Sequence, residues 1–74
     1  PISYDNLAAL YTQGTIILSG MVDKIEIYDM NGRIILTKNT NSAFLPVSLN
    51  EGIYITKLYN YQTNTIKTSK IIVR

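Results

Sequence analysis

The sequence predicts an all-β, antiparallel sandwich of six or seven short strands. Three observations predict it: short runs rich in Val, Ile, Thr and Tyr recur along the chain, Gly- and Asn-containing turn signals separate them, and no segment has the periodicity of a long amphipathic helix. The clearest stretch is Val22 to Leu36, in which two apolar-rich runs flank Asn31-Gly32. That dipeptide suits a type I′ turn, because both central positions need φ > 0. As a two-residue loop it sets Ile27 opposite Leu36 and Tyr28 opposite Ile35. One face then carries Ile25, Ile27, Ile34 and Leu36 toward the core, and the other carries Lys24, Glu26, Tyr28, Arg33, Ile35 and Thr37.

The other elements follow in order. Leu7 to Tyr11 reads as a strand, although Leu7, Ala8, Ala9 and Leu10 would also suit a helical turn capped by Asp5 or Asn6. Gln13-Gly14 is a turn, and Thr15 to Ser19 is a β-branched run closed by Gly20. After the hairpin, Lys38 to Ser42 is a polar turn cluster. Ala43 to Pro46 is a short edge strand, since Pro46 has no amide hydrogen to donate to a ladder. Ser48 to Gly52 is a turn, Gly52 to Tyr59 a strong strand, Tyr61 to Thr65 a hairpin connection and Ile66 to Arg74 the last strand. No repeat, low-complexity segment or linker divides the chain, so 1–74 reads as one domain.

Composition bounds what such a domain can do. Seventy-four residues bury about 60% of the unfolded surface, with a stability of about 4–11 kcal/mol. Hydrophobic residues are 46% and charged ones 16% of the chain, which places it among globular rather than disordered sequences. There are no cysteines and no histidines, which excludes a disulfide scaffold, a thiolate metal site and the commonest zinc ligand and general base. The five carboxylates have no spacing that pairs an acid with a base, so an enzyme is the weakest reading and no cofactor is implied. The net charge of +2 is spread over scattered Lys and Arg alternating with acids, so no nucleic-acid partner is expected. No apolar run approaches the roughly 20 residues of a membrane span, and there is no signal peptide, so no direct membrane insertion is expected. A start at Pro1 without an initiator Met suggests a domain excised from a longer protein.

Leu49 to Tyr54, LNEGIY, sets a Gly two residues before a Tyr at the entry to a strand. Immunoglobulin-like sandwiches place a tyrosine at such a corner, with its hydroxyl bonded to upstream backbone. With Tyr54 inward, Thr56 and Leu58 follow by alternation, and Thr56 takes the place of an antibody disulfide cysteine.

The order VDKIEIYDMNGRII, then LNEGIYITKL, then a terminal KIIVR resembles the C-terminal sorting domain of type IX secretion cargo over Gly14 to Arg74. The family's I-Y-D and G-R elements fall on Ile27, Tyr28 and Asp29 and on Gly32 and Arg33. Its G-x-Y element falls on Gly52 and Tyr54, and its lysine-containing terminal strand on Lys70, Ile71, Ile72, Val73 and Arg74. The Y-P-N-P box that opens many members is missing from Pro1 to Asn6. The resemblance implies an Ig-like sandwich at the end of exported proteins, directing them through the periplasm and across the outer membrane to the cell surface or medium. There a sortase usually removes the domain and joins the cargo to anionic lipopolysaccharide. Partners implied are translocon or shuttle proteins and the sortase.

Each candidate has a structural reading beside the functional one. Gly52 and Tyr54 are more simply parts of a corner. Lys70 to Arg74 is either a recognition strand or an edge protected by charge. Tyr28, Tyr59 and Tyr61 would form an exposed aromatic patch, suited to a partner interface or to stacking single-stranded nucleic acid, the latter disfavoured because the lysines alternate with Asp23, Glu26, Asp29 and Glu51. The rival reading of the whole chain is a structural or adhesive Ig-like module that spaces or dimerises its parent through strand edges.

Overall fold

A computed structural model describes residues 7–74. Seven strands form two antiparallel sheets: β1 (Ala8–Thr12), β2 (Thr15–Ser19), β3 (Lys24–Tyr28), β4 (Ile34–Asn39), β5 (Phe44–Pro46), β6 (Gly52–Asn60) and β7 (Thr65–Val73). The three-stranded sheet has the order β1-β2-β5 and the four-stranded sheet β4-β3-β6-β7. Period-two alternation sends Ile16 and Leu18, Ile25 and Ile27, Leu58, and Ile71 and Val73 into one core with Leu7, Val22 and Leu45. The expected sandwich is therefore the architecture found. Residues 8–12 are strand, not a helical turn, and the proposed caps Asp5 and Asn6 lie outside the described residues.

Several boundaries move. Lys38 and Asn39 extend β4 instead of opening the polar turn, β5 begins at Phe44 and not Ala43, Asn60 lengthens β6 to nine residues, and β7 keeps its nine residues but shifts by one, gaining Thr65 and leaving Arg74 outside. Pro46 ends β5, which among the described strands pairs β2 alone, as an edge strand should.

The central hairpin departs from its expected turn. Ile27 does oppose Leu36, but Tyr28 opposes Ile34, with a register shift between the two pairs. The cause is Asp29. Its Oδ1 accepts the N–H of Asn31 and of Arg33, each at 2.9 Å. Its main chain accepts from Gly32 (3.1 Å) and donates to Arg33 (2.9 Å). The loop is thus three residues, Met30 to Gly32, with only Gly32 at positive φ (+86°). The odd residue is absorbed as a bulge at Ile35, so Ile34 turns to the outer face beside Tyr28 and is 52% exposed instead of joining the core. A two-residue turn with both φ positive does occur, at Gln13 (+49°) and Gly14 (+75°), closing β1 onto β2.

Candidate functional site

The residues singled out at the C-terminal end meet in one place. In the β6–β7 ladder Gly52 pairs with Val73 and Tyr54 with Ile71. Tyr54 packs against the core, and its hydroxyl donates to the Asn50 carbonyl at 2.7 Å, four residues upstream. That is the bond expected of a corner tyrosine. Gly52 sits at φ +151°, a backbone conformation that side-chain-bearing residues rarely adopt, so its role in the corner is conformational. Beyond it, Thr56 is fully buried and its hydroxyl donates to the Ser69 carbonyl of β7 at 3.1 Å, and Leu58 is fully buried as well. The corner and the ladder together fix where β7 runs.

Alternation splits the terminal strand. Ile71 and Val73 are 3% and 5% exposed and belong to the core, whereas Lys70, Ile72 and Arg74 point outward. Only those three of the five can touch another molecule while the domain stays folded. Residues 70–74 also form one wall of a groove of about 650 Å³ whose other wall is residues 9–14, with Leu49. Tyr11 ties this region together: its hydroxyl donates to the Val47 carbonyl at 3.0 Å and accepts the Leu49 N–H at 3.4 Å. Nothing in the sequence links β1 to β7, because the two strands lie in different sheets and meet only through packing.

The aromatic patch expected from Tyr28, Tyr59 and Tyr61 is largely closed. Glu26 Oε1 accepts hydrogen bonds from the hydroxyls of both Tyr28, at 3.0 Å, and Tyr59. Lys24 lies 3.6 Å from Glu26 Oε2 and 5.1 Å from the Tyr59 ring centre, and Lys57 lies 5.3 Å from that of Tyr28. The ring faces are therefore shared with ammonium groups, and Tyr61 alone of the three is exposed. The Tyr59 hydrogen bond holds the Glu26 carboxyl below its ordinary range, with Tyr28 and Lys24 helping and desolvation opposing. The same bond, with desolvation, pushes the Tyr59 hydroxyl up to about 12. This cluster fastens β3 to β6 on the outer face.

Asn60 was not legible as a structural residue. It is 2% exposed; its Nδ2 donates to the Met21 carbonyl at 2.6 Å and its Oδ1 accepts the N–H and hydroxyl of Thr63 at 2.9 and 3.1 Å. Among the described residues no buried side-chain polar atom lacks a partner.

Residues 10–74 match the family described as "Secretion system C-terminal sorting domain". The chain belongs to that family. The match spans the corner, the whole terminal strand and all of the groove but Ala9, and it begins within β1. No curated protein and no solved structure matches the chain. As a type IX sorting domain it is a sorting signal, and it marks its parent protein for export across the outer membrane by the secretion machinery.

Proposed function

We propose that this sorting domain is a single C-terminal unit of a larger exported protein and works as a folded label, with β7 as its handle. The secretion machinery, as translocon or shuttle protein, would meet it in the periplasm through Lys70, Ile72 and Arg74. Gly52, Tyr54, Ile71 and Val73 would hold that strand in place from beneath. After passage a cell-surface sortase removes the domain, leaving the cargo on the surface or in the medium. The supporting observation is the ladder itself: the family's G-x-Y element and its terminal strand pair residue for residue. An Ig-like arrangement of the sandwich is supported by the Tyr54 to Asn50 bond.

The test is export of a fluorescent reporter fused to residues 1–74. Deleting residues 70–74 removes two core side chains with the handle, so its effect mixes unfolding with lost recognition. Replacing Lys70 and Arg74 by Glu leaves the core alone. The reading expects the doubly substituted fusion to accumulate in the periplasm, and export at the wild-type level would refute the handle.

One observation favours the adhesive alternative. The outer face of the three-stranded sheet has no charged residue, and Leu10, Ile17 and Phe44 form an apolar row across it, framed by Ala8, Ser19, Thr12, Thr15 and Pro46. Two strands of five residues and one of three cover only about 210 Å² at the usual strand spacings. A stable interface takes about 800 Å² per partner, so this face alone would not hold a dimer. Sedimentation at micromolar concentration checks it, and a monomer is the expected result.

A further inference from the structure

The outer face of the four-stranded sheet has two halves. Toward Asn39 and Tyr59 it is polar and closed on itself, through the contacts among Lys24, Glu26, Tyr28, Lys57 and Tyr59. Toward the other end it is apolar. Register sets Ile34, Tyr28, Ile55 and Lys70 in one row across β4, β3, β6 and β7, and the Ile53–Ile72 pair in the next outward row. Ile34, Ile53 and Ile72 are 52%, 42% and 49% exposed.

Ile34 is in this row because the Asp29 carboxylate sets the three-residue loop and the bulge that follows it. A two-residue loop would have sent the same side chain into the core, so folding alone gains nothing from its exposure. Charge borders the patch on its β7 side. Lys70 closes the first row, Arg74 follows Ile72 two residues on, and neither has an ion-pair or hydrogen-bond partner among the described residues. The acids of β3 and its turn are engaged, Glu26 with two tyrosines and Lys24, and Asp29 with two main-chain N–H groups. Glu51, beside Gly52, is the acid left exposed at this end.

We infer that this half of the face is a docking surface for a protein of the export machinery that presents an apolar projection bordered by carboxylates. The projection covers Ile34, Ile53, Ile55 and Ile72, and the carboxylates meet Lys70 and Arg74. A second copy of this chain does not fit, because a two-fold pairing opposes a patch to itself and brings the same cations together. Size points the same way. The six residues of the two rows cover about 200 Å² at the usual strand spacings, against about 800 Å² per partner in a stable interface. So small a contact suits a label that must be released. The described chain starts at Leu7, which is buried in the core on the inner side of this sheet, away from the patch. The inference rests on the sorting reading and widens its handle from β7 across the sheet to β4.

The probes are two hexapeptides, Glu-Glu-Leu-Phe-Glu-Glu and Lys-Lys-Leu-Phe-Lys-Lys, added to the chain of residues 1–74. The acidic peptide should shift the amide resonances of Ile34, Ile53, Ile55 and Ile72 saturably, and the basic one should not. I34T/I53T keeps β-branched side chains on both strands and leaves the outward residues of β7 whole. It should weaken acidic-peptide binding about tenfold, as loss of a small hot spot does. Ile66→Thr, at the polar end of the same face, should change nothing. K70E/R74E should exchange the preference between the peptides. An unchanged urea midpoint certifies each fold, and if the threonine pair lowers it, K70E/R74E decides. Equal shifts by both peptides, shifts centred on Leu10 and Phe44, no saturable shift, or an unaltered preference in K70E/R74E overturns the inference. In the reporter assay a wild-type fusion held in the periplasm defeats the sorting reading. Wild-type export of a folded I34T/I53T fusion, with K70E/R74E trapped, leaves the β7 handle standing and defeats the patch beyond it.

Discussion

Strands β6 and β7 pair over nine residues, yet one is enclosed and the other presented. β6 has a neighbour on each side and sends Thr56, Leu58 and Asn60 into the interior. Among the described strands β7 has a neighbour on one side only, commits Ile71 and Val73 to the core and leaves Lys67, Lys70, Ile72 and Arg74 exposed. The difference separates two ways a substitution can impair export. On β6 it should act through folding, and at the outward positions of β7 it should act through recognition with the fold intact.

Leu58→Ala should show the folding route most strongly. A fully buried leucine truncated to alanine costs about 2–5 kcal/mol, a large part of the about 4–11 kcal/mol expected for a chain of this length. Urea denaturation should find the midpoint sharply lowered, and export should fall in step. Gly52→Ala comes next. A side chain at φ +151° strains the backbone by about 1–3 kcal/mol, although nothing crowds the added methyl closer than 4.0 Å from the Tyr54 ring. If the denaturation midpoint does not move, the corner tolerates a β-carbon and Gly52 matters for some other reason. Tyr54→Phe should cost about 1 kcal/mol, the net worth of one hydrogen bond, with the ring packing kept.

The outer-face cluster predicts the smallest effect, at the extremes of pH. Tyr59 is raised to about 12 in the folded domain from an ordinary value of 10.0, so its contribution is complete below pH 10 and is lost as pH rises through about 12. Glu26 is depressed, so its contribution holds above the ordinary carboxyl range and disappears as pH falls through the lowered value. Thermal melts from pH 9 to 12 should show a decline that Tyr59→Phe reduces; an identical decline in that variant would place its origin elsewhere.

Much of this was readable from residue type and spacing. The β-branched runs, the turn at Gln13-Gly14, the edge role of Pro46 and the inward series Tyr54, Thr56, Leu58 are local consequences of period-two alternation and turn chemistry. The hairpin turn was not, because Asn31-Gly32 satisfies two loop lengths and the choice fell to the Asp29 carboxylate, which gathers two N–H groups. Ile34 moved with it. Asn60 and Glu26 were hidden for a different reason: their partners Met21 and Tyr59 are set by strand pairing and connections across the sheet, not by neighbours in sequence. The division of the terminal strand was latent in alternation, but which half faced the core depended on the register with Tyr54.

The most direct test compares the two routes in one assay: export of the reporter fused to the wild-type domain and to K70E/R74E, with urea denaturation of both. Outward surface substitutions should shift stability by no more than about 0.5 kcal/mol. The account predicts an unchanged midpoint together with reporter trapped in the periplasm. An unchanged midpoint with full export would contradict it.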